Sequence, residues 1–234
     1  NAAFAAHWQK PQAHIVFTAH PTFLLSKAQY ESVATAASNG DLSPESVCAA
    51  PTGRDTITLD YEHEAVMAAM GRGQQARDRI NTLLFDIARD RWPKRWKNFR
   101  PLPIRLASWV GYDMDGRTDI GWSTSIRYRL VEKAMRLERY AASLSDVEPA
   151  IAERLARAGA HTRDMAERFA ADLTEPSDLS AAADALTADH PDKIISLAPI
   201  IAELEEEAKH AEREQAQALL VAAAAMRADG LGMG

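Results

Sequence analysis

Apolar and polar positions along the chain alternate between brief hydrophobic runs and long stretches with helical spacing. Ile15, Val16 and Phe17 form a compact run that breaks at Pro21 and predicts a strand over 14–18. A second run, Ile104 to Val110, follows Pro101 and Pro103 and closes at Gly111. Proline belongs at strand entrances, so this segment predicts a strand over 104–110. Gly230 to Gly234 reads as the start of another strand. Between these runs the spacing is helical. Leu24, Leu25, Ala28 and Val33 lie near one face of a helix over 23–37, which stops at Ser38-Asn39-Gly40-Asp41. Val66, Met70, Ile80, Leu83, Leu84 and Ile87 predict a long helix over 59–91, ended by Pro93. Ile126, Leu130, Leu137, Ala141 and Leu144 form the core stripe of a helix over 123–144, with Ser123 or Thr124 as N-cap. Two further helices are expected over 148–173 and 193–228, with a polar linker around Pro176 between them. Residues 1–10 suit a short helix feeding the first strand, and a Ser/Pro/Gly/Thr-rich loop runs to about Asp60.

Composition narrows this picture. The 234 residues, 47% of them hydrophobic with alanine dominant, suit packed helices in one domain or two small ones. A net charge of −6 argues against a general nucleic-acid binder, which needs a basic face. The lone cysteine, Cys48, excludes an internal disulfide and a cysteine-cluster zinc site, and reads as an inert thiol. No apolar run approaches the roughly 20 residues of a membrane helix, and no secretory signal is present, so the cytoplasm is the default compartment. The chain opens on Asn1 and closes on an apolar, glycine-rich stretch, which reads as a piece of a longer protein. Glu203, Glu205, Glu206 and Glu207 precede Lys209, Arg213 and Arg227, the order a helix dipole favours. This is expected to be a solvated charged face. His161 and His210 receive no role. Gly71-Arg72-Gly73 neither follows a strand nor opens a helix, so it reads as close packing or a kink, not a phosphate loop.

Two polar segments carry candidate chemistry, each delivered by an apolar run. The first is Thr18-Ala19-His20-Pro21-Thr22. Pro21 disfavours helical backbone at His20, which places the imidazole in an extended or turning segment. The second is Trp109-Val110-Gly111-Tyr112-Asp113-Met114-Asp115-Gly116-Arg117. Here Asp113, Asp115 and Arg117 alternate, so an extended backbone would point all three the same way, and Gly116 adds a turn option. Such a segment is either a solvated turn or an anion or metal site at a strand's C-terminal end.

Together the two segments resemble phosphoenolpyruvate carboxylase. That family carries a TAHPT signature after its first barrel strand, present here as Thr18 to Thr22. It has a later strand ending in tryptophan, glycine and a D-R-D-G-N pattern, matched by Trp109 to Arg117. The resemblance covers roughly residues 10–145 well and the remaining helices loosely. It implies a mainly α chain with a few short parallel strands, the N-terminal part of a TIM-type α/β barrel with long helical insertions, as one unit over 1–234. It also implies carboxylation of phosphoenolpyruvate by bicarbonate to oxaloacetate and phosphate, with Mg²⁺ or Mn²⁺ held by ligands outside this chain. His20 would be catalytic, and Thr22, Asp113, Asp115 and Arg117 would serve the substrate. The implied partners are small molecules, with neither nucleic acid nor membrane, and self-association is compatible with the reading. The chain departs from the pattern at Phe23, where an acidic or amide residue is usual, at Met114, where the family places arginine, and at Arg117, where asparagine is usual. Lys27 near Ser26 stands where an arginine pair is common. The isolated chain is expected to be inactive.

Two other readings compete. Gly111 to Gly116 mimics the strand-D-x-D-G motif of haloacid-dehalogenase-type phosphatases, with Asp113 as nucleophile and Asp115 as acid/base around Mg²⁺. Alternatively, Met114 and Phe23 mark lost chemistry, leaving a helical binding or regulatory module on a carboxylase scaffold.

Overall fold

The computed structural model of the chain describes residues 2–18, 27–41, 43, 58–113, 118–170, 173 and 175–229. A short helix α1 (Ala2–Trp8) leads into β1 (Ala13–Phe17), which is followed by α2 (Lys27–Ser38) and the 33-residue α3 (Leu59–Arg91). A 3₁₀ turn (Trp96–Asn98) precedes β2 (Ile104–Ser108). Then come α4 (Trp122–Leu144), α5 (Pro149–Glu167), α6 (Pro176–Thr187), α7 (Ala198–His210) and α8 (Arg213–Asp229). The chain is therefore mostly helical, with one small sheet among the described residues. No helix among these residues is long and apolar enough to cross a membrane.

β1 and β2 pair in parallel, from Ala13↔Ile104 to Phe17↔Ser108. Backbone bonds fasten the strand entrances. Leu102 N donates to Trp8 O at 2.8 Å and Gln12 N to Pro103 O at 2.8 Å, so Pro101 and Pro103 sit at the entrance, where a missing N–H is harmless. One face of the sheet packs on α3: Leu106, with Phe17 and Ile104 alongside, meets Val66, Met67 and Met70. Gly73 permits this approach, since a Cβ there would stand 3.1 Å from Leu106 Cδ1 and 3.5 Å from Phe17 Cζ. Of the two glycines in α3, Gly73 thus serves close packing, whereas a Cβ at Gly71 would meet nothing within 4 Å. The opposite face is open, with Val16 49% exposed and Arg105 and Ala107 also exposed.

The main core lies away from the sheet. Leu84, Phe85 and Ala88 of α3, Leu137, Tyr140 and Leu144 of α4, and Ile151 and Leu155 of α5 close around α8. That helix is alanine-rich and buried on nearly all sides, from Ala216 through Ala228, as expected of a central helix apolar around its circumference. α4 and α5 form an antiparallel hairpin, and α7 packs through Ile200, Leu204 and Ala208.

Several sequence expectations need correction. The second strand ends at Ser108, two residues early, because the chain turns at Val110–Gly111. α4 starts at Trp122 with Gly121 at the N-cap, and no Ser123 or Thr124 side chain caps it. Within the α4 stripe, Leu137, Ala141 and Leu144 are buried, whereas Ile126 and Leu130 are only half-buried. The helix expected over 148–173 stops at Glu167. The polar linker around Pro176 is itself a helix, α6, with proline in its first turn. The helix expected over 193–228 is two helices, broken at Ala211 and Glu212. The acidic run of α7 is only partly a solvated face, because Glu205 pairs with both Arg100 and Arg227. The strand expected from 230, most of the loop before Asp60, Cys48 and the first residues of the helix expected over 23–37 lie outside the described residues.

Candidate functional site at the end of the parallel strands

Parallel pairing sends both chemistry-bearing segments off the same end of the sheet. Phe17 and Ser108 are register partners, so Thr18 and Trp109 leave side by side. Of the candidate residues, His20, Thr22, Asp115 and Arg117 lie outside the described residues, as do Phe23 and Met114. Asp113 is described and exposed, five residues beyond the end of β2.

The chain between β2 and Asp113 is a built turn. Ser108 Oγ accepts from Val110 N at 3.2 Å, and Tyr112 N donates to Trp109 O at 2.9 Å. Gly111 has φ of +86°, a conformation open to glycine and strained for other residues. A Cβ at Gly111 would stand 2.3 Å from Tyr128 Cδ2, so both backbone and space demand glycine here. Ser125 Oγ donates to Gly111 O at 2.8 Å, and Tyr112 OH donates to Glu132 Oε1 at 2.7 Å.

Beneath the turn lies a buried polar cluster joining the first turns of α3 to α4. Tyr128 OH donates to Asp60 Oδ1 at 2.7 Å, and the His63 imidazole stacks flat on the Tyr128 ring, with centroids 3.9 Å apart and planes 7° from parallel. His63 is 3% exposed, and its Nε2 lies 3.9 Å from Glu132 Oε1 without a hydrogen-bond partner. Burial pushes the His63 pKa down to about 4, against the pull of Asp60, so the ring is neutral at physiological pH. Burial pushes the Glu132 carboxyl up, opposed by the Tyr112 hydroxyl and by Arg136 and Arg129. Burial and the carboxylates they bond raise the phenols of Tyr112 and Tyr128, which therefore stay protonated donors. Arg129 lies over the Tyr112 ring at 4.8 Å.

None of Asp60, His63, Tyr112, Tyr128 and Glu132 was singled out from the sequence. A signal did exist on α3: His63 shares a helical stripe with Val66, Met67 and Met70, and a histidine on an apolar stripe must be buried. Among the described residues, no group of three or more His, Cys, Asp or Glu side chains could hold a metal ion. The described part of the site offers positioned polar groups and one exposed carboxylate, Asp113. No family model, curated protein or solved structure matches the chain.

Proposed function

We propose that this chain forms the N-terminal part of the active site of a phosphoenolpyruvate carboxylase-like enzyme, converting phosphoenolpyruvate and bicarbonate to oxaloacetate and phosphate. One observation carries the reading. β1 and β2 are in-register parallel neighbours, so the strand preceding Thr18-Ala19-His20-Pro21-Thr22 and the strand preceding Asp113 end together. Strands whose following segments lie about 90 residues apart in sequence thus end side by side, the arrangement that barrel strands have at their C-terminal ends. The uncovered sheet face is a second support. Parallel sheets are ordinarily covered on both faces, and a two-stranded one is marginal alone, so the exposure of Val16 and Ala107 supports a reading in which further strands complete this layer.

In this reaction bicarbonate oxygen attacks the phosphoryl group, and the bond to the enol oxygen breaks, leaving carboxyphosphate and an enolate. The carboxyl C–O bond of carboxyphosphate then breaks, giving CO₂ and inorganic phosphate, and the enolate carbon attacks that CO₂ to form oxaloacetate. His20 is placed in the role of moving the proton of the carboxylated fragment, a task suited to a group titrating near neutral pH. Thr22, Asp113, Asp115 and Arg117 shape the substrate end. The described residues do not fit a divalent cation, so no step is assigned to one held by them. The phosphatase reading requires the nucleophilic aspartate directly at a strand end, whereas a positive-φ turn separates Asp113 from β2.

Oxaloacetate formation, followed by coupled malate dehydrogenase, tests the proposal. The full-length protein should form oxaloacetate from phosphoenolpyruvate and bicarbonate with Mg²⁺ present, and this 234-residue chain alone should not. His20→Asn should lower the full-length rate at least about a hundredfold, the scale of a lost acid–base group. A full-length protein that forms no oxaloacetate overturns the reading. Gain of activity on Met114→Arg with Phe23→Glu would point instead to a scaffold that has lost its chemistry.

A further inference from the structure

We propose that Tyr128 and Glu132 of α4 are positioning residues, holding the turn after β2 so that Asp113 is presented in one fixed arrangement. The catalytic consequence rests on the carboxylase reading above; the clamp itself does not.

Three successive contacts from one face of α4 grip residues 111 and 112. Ser125 Oγ donates to the Gly111 carbonyl at 2.8 Å, the Tyr128 ring fills the space where a Gly111 side chain would go, and Glu132 accepts the Tyr112 hydroxyl at 2.7 Å. Positions 125, 128 and 132 share a helix face, so the grip is rigid along its length. The clamp is braced from behind. Asp60 of α3 accepts the Tyr128 hydroxyl at 2.7 Å, His63 stacks on its ring at 3.9 Å, and Arg136 Nη2 stands 3.6 Å from Glu132 Oε2.

The choice of residues argues against plain packing. Tyr128 is 3% exposed and the Glu132 side chain 13%, and apolar residues of similar volume would fill such a place at no loss of stability. A buried, hydrogen-bonded network instead selects one geometry among close alternatives. What it selects here is the path of residues 110–112, the three residues immediately before Asp113. Sites built on loops need such support from rigid elements, because small displacements of a binding group weaken binding steeply.

Hydrogen exchange read by mass spectrometry on this chain, with steady-state kinetics on the full-length protein, tests the proposal. Tyr128→Leu, Glu132→Leu and Gly111→Ala should each speed exchange in the peptide over 109–113 by about tenfold, the size of one lost buried hydrogen bond or contact, with α5, α7 and α8 unchanged. Glu132→Gln keeps an acceptor for Tyr112 and should stay near wild type. In the active full-length protein, Glu132→Leu should raise KM for phosphoenolpyruvate about tenfold and leave KM for bicarbonate alone. If Tyr128→Leu loses protection throughout, Tyr128→Phe carries the test, since it keeps the ring and drops only the bond to Asp60. A rise confined to 109–113 then supports the clamp, and no rise overturns it. Unchanged local exchange in Glu132→Leu also overturns it, as does faster local exchange with unchanged KM for phosphoenolpyruvate. A full-length wild type that makes no oxaloacetate counts against the carboxylase reading alone, because the exchange data still decide the clamp.

Discussion

Removing the Asp229 carboxylate is expected to be among the most damaging single changes in the described fold. Asp229 ends α8, and its side chain is 1% exposed. One oxygen accepts from Arg77 Nη1 and the other from the Tyr140 hydroxyl, with Gln74 Nε2 at 3.4 Å and Arg139 Nη1 at 3.7 Å. The Arg77 side chain is fully buried, and its next carboxylate, Asp78, lies at 3.4 Å and is 27% exposed. Asp229→Ala thus strands a buried guanidinium with one weaker partner and orphans a phenol, a loss of about 3–5 kcal/mol. Against a typical total of about 5–15 kcal/mol, that is a large share. The double variant Arg77→Met/Asp229→Leu removes both charges and should recover most of the loss, to within about 1–2 kcal/mol of wild type. The pH dependence follows from the Asp229 titration. Burial pushes its carboxyl up, but Arg77 and its hydrogen bond, with Arg136 and Tyr140, outweigh burial and hold it below the usual range. A carboxylate depressed in the folded state stabilises at pH above its unfolded value of about 3.9, and that contribution fades as pH falls through the folded value. Wild type and Asp229→Ala should therefore converge in strong acid. Urea titrations followed by circular dichroism, between pH 7 and pH 2.5, measure all three proteins. A loss below about 1 kcal/mol for Asp229→Ala, or a double variant as unstable as the sum of its singles, would refute the account.

Other outcomes follow from the same physics. His63 is buried neutral with its pKa pushed down to about 4, so the unfolded chain binds the extra proton between about pH 6.5 and 4. Stability should fall across that window by up to about 1.4 kcal/mol per pH unit. His63→Phe, which keeps the stack on Tyr128, should flatten that slope in urea midpoints, and an unaltered slope would assign it to other groups. A side chain added at Gly71 meets nothing within 4 Å, whereas one at Gly73 presses on Leu106. Gly71→Ala should thus stabilise by about 0.5–1 kcal/mol through helix propensity. Gly73→Ala should forfeit that gain, and thermal melts giving equal shifts for both would contradict the packing of α3 on the sheet. Lys97→Met should loosen the junction of α7 and α8, because Lys97 Nζ donates to Lys209 O at 3.2 Å and Ala211 O at 2.9 Å. Exchange at 209–213 should rise severalfold while α4 and α5 keep their protection.

The parts of the fold legible in the sequence were those governed by local rules. α3 was readable to its end residues because more than thirty positions keep one helical period, Thr58 caps the first turn and Pro93 lies just past the last. β1 and β2 were readable as short apolar runs, each bounded by proline. The break between α7 and α8 was missed because its cause is a partner distant in sequence. Nothing local marks Ala211 as a break, since His210-Ala211-Glu212 contains neither glycine nor proline. The last carbonyls of α7 are taken by Lys97, more than a hundred residues earlier, which lets the helix stop there. α6 had a start signal in Glu175-Pro176-Ser177-Asp178, but it buries only Ala182, so its apolar stripe was too faint to outweigh the polar composition. The site divides in the same way. Asp113 stood out because alternating charges following an apolar run and a glycine are a local pattern. The groups beneath it are a histidine, two tyrosines and two carboxylates from three separate stretches, and no one stretch shows them meeting. His63, Gln74, Arg77 and Asn81 nonetheless fall on the stripe of α3 that buries Val66, Met70 and Leu84. Polar residues held at core spacing over five turns cannot all reach water, and here Gln74 and Arg77 are satisfied by Asp229, whereas His63 Nε2 and the Asn81 amide have no hydrogen-bond partner. Such a stripe therefore indicates where a helix will build polar networks, and on α3 it leads to both the cluster under Gly111 and the Arg77–Asp229 pair at the end of α8.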